Sequence, residues 1–160
     1  MDGQMLRILF VCHGNICRSP MAEFIMKDIV TRDGTSDYFH IESCATSNEE
    51  IGNDIYPPVR RVLDKHGVRY ENRSARRMTS DDYSRFDMII AMDHWNIRNM
   101  SGFIGDDPDG KVSLMMSFAG RDTDVDDPWY TGDFDRTYGE IRLACESLYK
   151  AVKSSAIARQ

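Results

Sequence analysis

The sequence predicts an α/β protein whose doubly wound, mostly parallel four-stranded sheet carries helices on both faces. Two observations carry that prediction. Short apolar runs alternate with segments of helical spacing along the 160 residues, which is the pattern of a parallel sheet covered on both sides. No internal repeat, low-complexity tract or linker interrupts the alternation, so residues 1–160 are expected to form one domain, long enough for a real core. Right-handed crossovers then restrict the topology to doubly wound arrangements.

In chain order, Leu6 to Cys12 reads as a buried strand. Pro20 to about Arg32 reads as a helix, with Ser19 as its N-cap and Met21, Phe24, Ile25, Asp28 and Ile29 forming a mostly apolar stripe. Phe39 to Ala45 is a second strand. Pro57-Pro58 opens a helix to about His66, with Gly67 as its C-terminal cap. Thr79 or Ser80 starts a short helix whose Asp81-Asp82 suit its dipole. Phe86 to Met92 is a third strand, Asp93 to about Met100 a helix, and Val112 to Leu114 a short fourth strand. Phe118 to Gly132 reads as a long polar loop. Asp133 to about Ile157 is the last helix, with Ile141, Ala144, Cys145, Leu148 and Val152 along one side.

A net charge of −6 and a pI near 5.2 argue against nucleic acid and against a polybasic membrane anchor. No apolar run has the length of a membrane-spanning helix, and Met1-Asp2-Gly3-Gln4 lacks the basic and apolar regions of a signal peptide. A cytoplasmic protein is expected. Cys12, Cys17, Cys44 and Cys145 form no close pair of the kind zinc sites use, and His13, His40, His66 and His94 are scattered, so no metal site is predicted. Cys44 and Cys145 read as inert core thiols.

The chemistry is concentrated in Cys12-His13-Gly14-Asn15-Ile16-Cys17-Arg18-Ser19-Pro20. This is a tight loop between the first strand and the first helix, at the carboxyl end of a strand, where ligands bind in such sheets. A loop of this kind turns successive N–H groups inward at a helix N-terminus and cradles an anion. Arg18 adds a planar fork for two phosphate oxygens, and the positive field favours a sulfur anion at Cys12. Gly14 and Asn15 tolerate left-handed backbone angles. Alone, Cys12 could simply end a core strand and Arg18 could be a solvated helix residue; strand, loop and cap in register outweigh that reading.

The run Val11 to Glu23 closely resembles the active-site segment of the low-molecular-weight protein tyrosine phosphatases. A second match is Asp126-Asp127-Pro128-Trp129-Tyr130, similar to the family's general-acid loop. Ala45-Thr46-Ser47, Ile51-Gly52-Asn53, Ala75-Arg76 and Ala91-Met92-Asp93 resemble family segments in the same order. The resemblance implies a flavodoxin-like fold of the phosphotyrosine protein phosphatase I type, with strand order 2-1-3-4. It implies a metal-independent hydrolase, with no cofactor, acting on phosphotyrosine-containing proteins. Cys12 is then the nucleophile that forms a cysteinyl-phosphate. Arg18 and the loop amides of His13, Gly14, Asn15, Ile16 and Cys17 bind phosphate or other oxyanions. Asp127, biased to an extended backbone by Pro128, is the general acid and base. Ser19 donates to the Cys12 sulfur, Asn15 fixes the loop with Ser43 as partner, and Arg76 and Asp93 belong to a supporting polar network. Trp129 and Tyr130 line one wall of the cleft. Cys17, in the same loop as Cys12, is a candidate partner for a protective disulfide after oxidation.

Departures from the family pattern are also visible. Glu49 stands where many relatives carry an aromatic wall residue, which predicts weaker binding of phosphopeptides with acidic flanks. Arg73 replaces a histidine of some members, and Asp54-Ile55-Tyr56 are additional. Rival readings are a protein arginine phosphatase, an arsenate reductase and a phosphate-binding module without turnover. The first resembles this chain except for threonine at the position of Ile16. The second needs further cysteines, which Met92 to Asp126 lacks. The third has no use for Asp127 or Cys12.

Overall fold

The computed structural model describes residues 4–159; residues 1–3, which bear on the signal-peptide expectation, lie outside the described residues. Strands β1 (Leu6–Cys12), β2 (Phe39–Ala45), β3 (Met88–Ala91) and β4 (Val112–Leu114) form one sheet. Its order is β2-β1-β3-β4 and every pairing is parallel, not merely most. The register runs Leu6 beside Phe39 to Cys12 beside Ala45, with Ile8 beside Met88 and Ile89 beside Val112. The chain reverses its direction of winding between β1 and β3, and Cys12 ends the central strand at that switch point.

Helices α1 (Arg18–Arg32), α2 (Pro57–Lys65), α3 (Asp82–Arg85), α4 (His94–Ile104), α5 (Pro128–Thr131) and α6 (Phe134–Ala158) connect and cover the sheet. β1 alternates between two cores. Ile8, Phe10 and Cys12 join one with Met21 and Ile25 of α1, Val59 and Leu63 of α2, and Ile141, Cys145 and Leu148 of α6. Leu9 and Val11 join the other with Cys44, Phe86, Ile89 and Met100, under α3 and α4. Burial on both faces explains why β1 is a continuous apolar run.

The expected elements are present, with corrections at their ends. α1 begins at Arg18, capped by Cys17, rather than at Pro20 behind a Ser19 cap, because the Ser19 hydroxyl is engaged by Cys12 and Asn15. α3 follows Asp81 rather than Thr79 or Ser80. β3 is shorter than Phe86 to Met92, since only Met88–Ala91 pairs with β1, and of these only Ile89–Ala91 also pairs with β4. α4 continues past Met100 to Ile104; Asp93 and Asn96 close a reciprocal capping box at its start, and Gly105 at φ 72° ends it. The segment read as loop from Phe118 to Gly132 contains the end of a 3-10 turn, Met115–Ala119, and helix α5. Asp127 caps α5 through its side chain and Pro128 takes the first helical position.

Candidate active site

The loop from Cys12 to Arg18 is held by its carbonyl oxygens. Cys12 O accepts from Thr46 N at 3.0 Å, His13 O from Ser47 N at 3.1 Å, Ile16 O from Tyr56 N at 3.0 Å and Cys17 O from Met21 N at 3.1 Å. Asn15 O accepts from Arg73 Nη2 at 2.5 Å. A trans peptide sets its N–H opposite its C=O, and no cis bond occurs here. Those five bonds therefore turn the N–H groups of His13, Gly14, Ile16, Cys17 and Arg18 the other way, into the cavity that Cys12, His13, Gly14, Ile16, Cys17 and Arg18 line. No side chain caps α1, so its first amides also face this cavity.

Asn15 locks the turn. It is fully buried at φ 60°. Its Nδ2 donates to Ser19 Oγ at 2.8 Å and Ser43 Oγ at 2.9 Å, and its Oδ1 accepts from Arg76 N at 3.2 Å. The left-handed angle belongs to Asn15 and not to Gly14. Gly14 is needed for space instead, because a Cβ there would meet Glu50 Cγ at 3.3 Å. Cys12 Sγ lies 3.0 Å from Ser19 Oγ and accepts from Asn15 N at 3.3 Å.

Arg18 is 2% exposed. Its Nη1 donates to Asp93 Oδ2 at 2.7 Å and Val125 O at 2.8 Å, and its Nη2 reaches Asp127 Oδ2 at 3.5 Å. Burial alone would weaken its proton affinity, yet the charges of Cys12, Asp127 and Asp93 overcome that and raise it above the ordinary arginine value. Asp93 serves two elements, since its other oxygen caps α4 through Asn96 N at 2.8 Å. Cys17 is buried among these groups. Burial, then the negative charges of Cys12 and Asp127, push its thiol well up, with Glu50 adding a smaller push in the same direction. Cys44 and Cys145 are likewise buried and free, their thiols raised by burial.

The opposite wall is made by Asp127, Trp129 and Tyr130. Asp127 Oδ1 accepts from Trp129 N at 3.1 Å, leaving Oδ2 turned to Arg18. Trp129 packs on Tyr56, ring centroids 4.9 Å apart, so Tyr56 supports both the phosphate loop, through its N–H on Ile16 O, and the acid loop. Tyr130 is 85% exposed.

Of the expected site residues, Cys12, His13, Gly14, Ile16, Cys17, Arg18, Asp127, Trp129 and Tyr130 come together around the cavity. Glu50, not Glu49, lines the cavity; Glu49 lies outside it on His13 Nε2 at 2.7 Å. Arg76 supports the loop through its backbone N–H, while its guanidinium turns away to Asp82 and Glu42. Arg73, noted only as a departure, is a direct brace of the loop, and Tyr56 is another. Neither has a local signal, because both contacts span about forty residues or more. Among the described residues no three His, Cys, Asp or Glu side chains stand together as a set that could hold a metal ion.

Comparison with known proteins agrees with this geometry. The family model for low molecular weight phosphotyrosine protein phosphatase matches residues 7–157. YfkJ of Bacillus subtilis, a low molecular weight protein-tyrosine-phosphatase, is 32% identical over 151 residues, 93% of this chain and 97% of the relative. Its crystal structure matches with a TM-score of 0.90, at 33% identity over 94% of this chain and 96% of that one. SP-PTP, a low molecular weight protein tyrosine phosphatase from Streptococcus pyogenes, matches at 40% identity and a TM-score of 0.83, covering 92% and 93%. The Drosophila arginine phosphatase DARP matches at 30% identity and a TM-score of 0.82, covering 92% and 98%.

Proposed function

Because this chain belongs to the low molecular weight phosphotyrosine protein phosphatase family, we propose that it hydrolyses phosphotyrosine in proteins through a phosphate ester on Cys12. It is a protein-tyrosine-phosphatase, and residues 1–160 are read as one phosphatase domain. The observation that carries the assignment of roles is the convergence of Cys12 Sγ, inward amides, Arg18 and Asp127 on one cavity.

In the first step Cys12 Sγ attacks phosphorus and the bond from phosphorus to the phenolic oxygen breaks. The electron pair goes to that oxygen, which takes a proton from the Asp127 carboxyl. Arg18 and the loop amides bear the charge on the three equatorial oxygens. In the second step the Asp127 carboxylate takes a proton from water. The water oxygen bonds to phosphorus, and the sulfur–phosphorus bond breaks with its electrons returning to Cys12. Inorganic phosphate leaves. Ser19 and Asn15 N–H hold the sulfur in both steps, and Trp129 and Tyr130 flank the tyrosyl ring.

Ile16 lines the cavity and crowds the side of a phosphoguanidinium, which favours phosphotyrosine over phosphoarginine. A cytoplasmic location fits four free, buried cysteines and the lack, among the described residues, of a helix long and apolar enough to cross a membrane. Steady-state hydrolysis of p-nitrophenyl phosphate, phosphotyrosine and phosphoarginine with EDTA present tests the reading. Wild type is expected to turn over the first two and Cys12→Ser neither. No turnover by reduced wild type, or dependence on a metal, would overturn it.

A further inference from the structure

Glu50 stands where the rest of a phosphorylated substrate must pass. Its stem lies against Gly14, where a Cβ would come within 3.3 Å of it, and its Oε2 accepts from Asn53 Nδ2 at 2.6 Å. The carboxylate is thus fixed by a neutral amide and not by a cation. Glu49, the next carboxylate out, is 65% exposed on His13. Arg18 is the one arginine or lysine among the described residues that line the cavity, and it is buried and bonded to Asp93, Val125 O and Asp127. Beyond the cavity, Asp126 is 58% exposed with Arg136 no nearer than 4.0 Å.

The rim beside these carboxylates is apolar. Of the lining side chains, Trp129 and Tyr130 are 52% and 85% exposed, large rings left open to solvent at the mouth. The phosphoryl group itself is neutralised by Arg18 and the loop amides. The peptide attached to that group meets the rings of Trp129 and Tyr130 on one side and, on the other, the Glu50 carboxylate held only by the Asn53 amide, with Glu49 shared with His13 beyond it. Charges placed at a rim sort partners by sign more than they add affinity.

We propose that Glu50, with Glu49 beside it, selects phosphotyrosine segments that carry lysine or arginine next to the phosphotyrosine and rejects those with acidic neighbours. This rests on the phosphotyrosine reading above and names its substrate class. His13 bonds Glu49 and leaves Glu50 to act on the substrate.

The test uses two phosphotyrosine peptides of one sequence, flanked by lysine in one and glutamate in the other, with p-nitrophenyl phosphate run alongside. In wild type the lysine peptide is expected to have a kcat/KM about fivefold or more higher, through KM, shrinking as salt is added. Glu50→Gln keeps an acceptor for Asn53 and is expected to cut that ratio about two- to threefold, and adding Glu49→Gln to bring it to about one. Taking the ratio within each variant cancels any change in the chemical step. A ratio at or below one in wild type, or one unchanged in the double variant, overturns the selectivity. If p-nitrophenyl phosphate is still hydrolysed in that case, the phosphatase reading stands. If neither it nor the peptides turn over, both fall.

Discussion

On the phosphate side of the cleft Asn15, Arg18 and Ser19 are all but fully buried, and each polar group finds partners from distant parts of the chain. On the other side, Asp127 keeps a partly open carboxylate, and Trp129 and Tyr130 stand well into solvent on the four-residue helix α5. The difference reflects the reaction. The three equatorial phosphoryl oxygens are the same in every substrate and reward a fixed cradle. The leaving group and its neighbours vary, and its proton must be delivered and taken back, so that wall is open and locally built.

The sharpest way to break this comparison is Asp127→Asn. It retains the oxygen that caps Trp129 but carries no exchangeable acid. The expected loss in kcat on phosphotyrosine is about 10²–10³-fold, and clearly smaller on p-nitrophenyl phosphate, whose leaving group departs with less need of a proton. Equal losses on the two substrates would remove Asp127 from the acid role. The next effect in size is on the rigid wall. Asn15→Ala strands buried hydrogen-bonding groups on Ser19, Ser43 and Arg76 and puts alanine at φ 60°; a loss of about 2–3 kcal/mol in urea unfolding is expected, with activity falling as well. The open wall should be far more tolerant. Trp129→Ala removes the contact with Tyr56 and is expected to cost about 1 kcal/mol. Tyr130→Ala is expected to leave stability within about 0.5 kcal/mol while raising KM for phosphotyrosine peptides. A Tyr130→Ala protein as destabilised as Asn15→Ala would erase the contrast between the walls.

The same contrast decides what could be read in advance. β1, β2 and β4 were legible to the residue, β1 because its apolar run ends at the Cys12 loop, and the Cys12–Ser19 segment is contiguous in sequence. α5 carried its own signal in Asp127-Pro128, a cap followed by a first-turn proline, which a reading of the segment as polar loop passes over. The end of α4 was likewise marked by Gly105. Glu49 and Glu50 were not separable, because which of two adjacent carboxylates turns inward depends on how residues 46–53 are hung from His13 O and Ala75 O. Arg73 and Tyr56 were out of reach for the same reason: their roles exist only after remote segments meet the loop.

Asn15 ties together the phosphate loop, α1, the edge strand β2 and the Arg76 segment. None of these can separate from the others while it keeps its bonds. The loop is therefore not a local fluctuation unit that frays ahead of the domain. Its amides should exchange with solvent by the same opening that releases β2 from the sheet. During folding, the catalytic geometry should be among the last features to appear, after the edge strand has docked. Recovery of activity on refolding then serves as a clock for completion of the sheet.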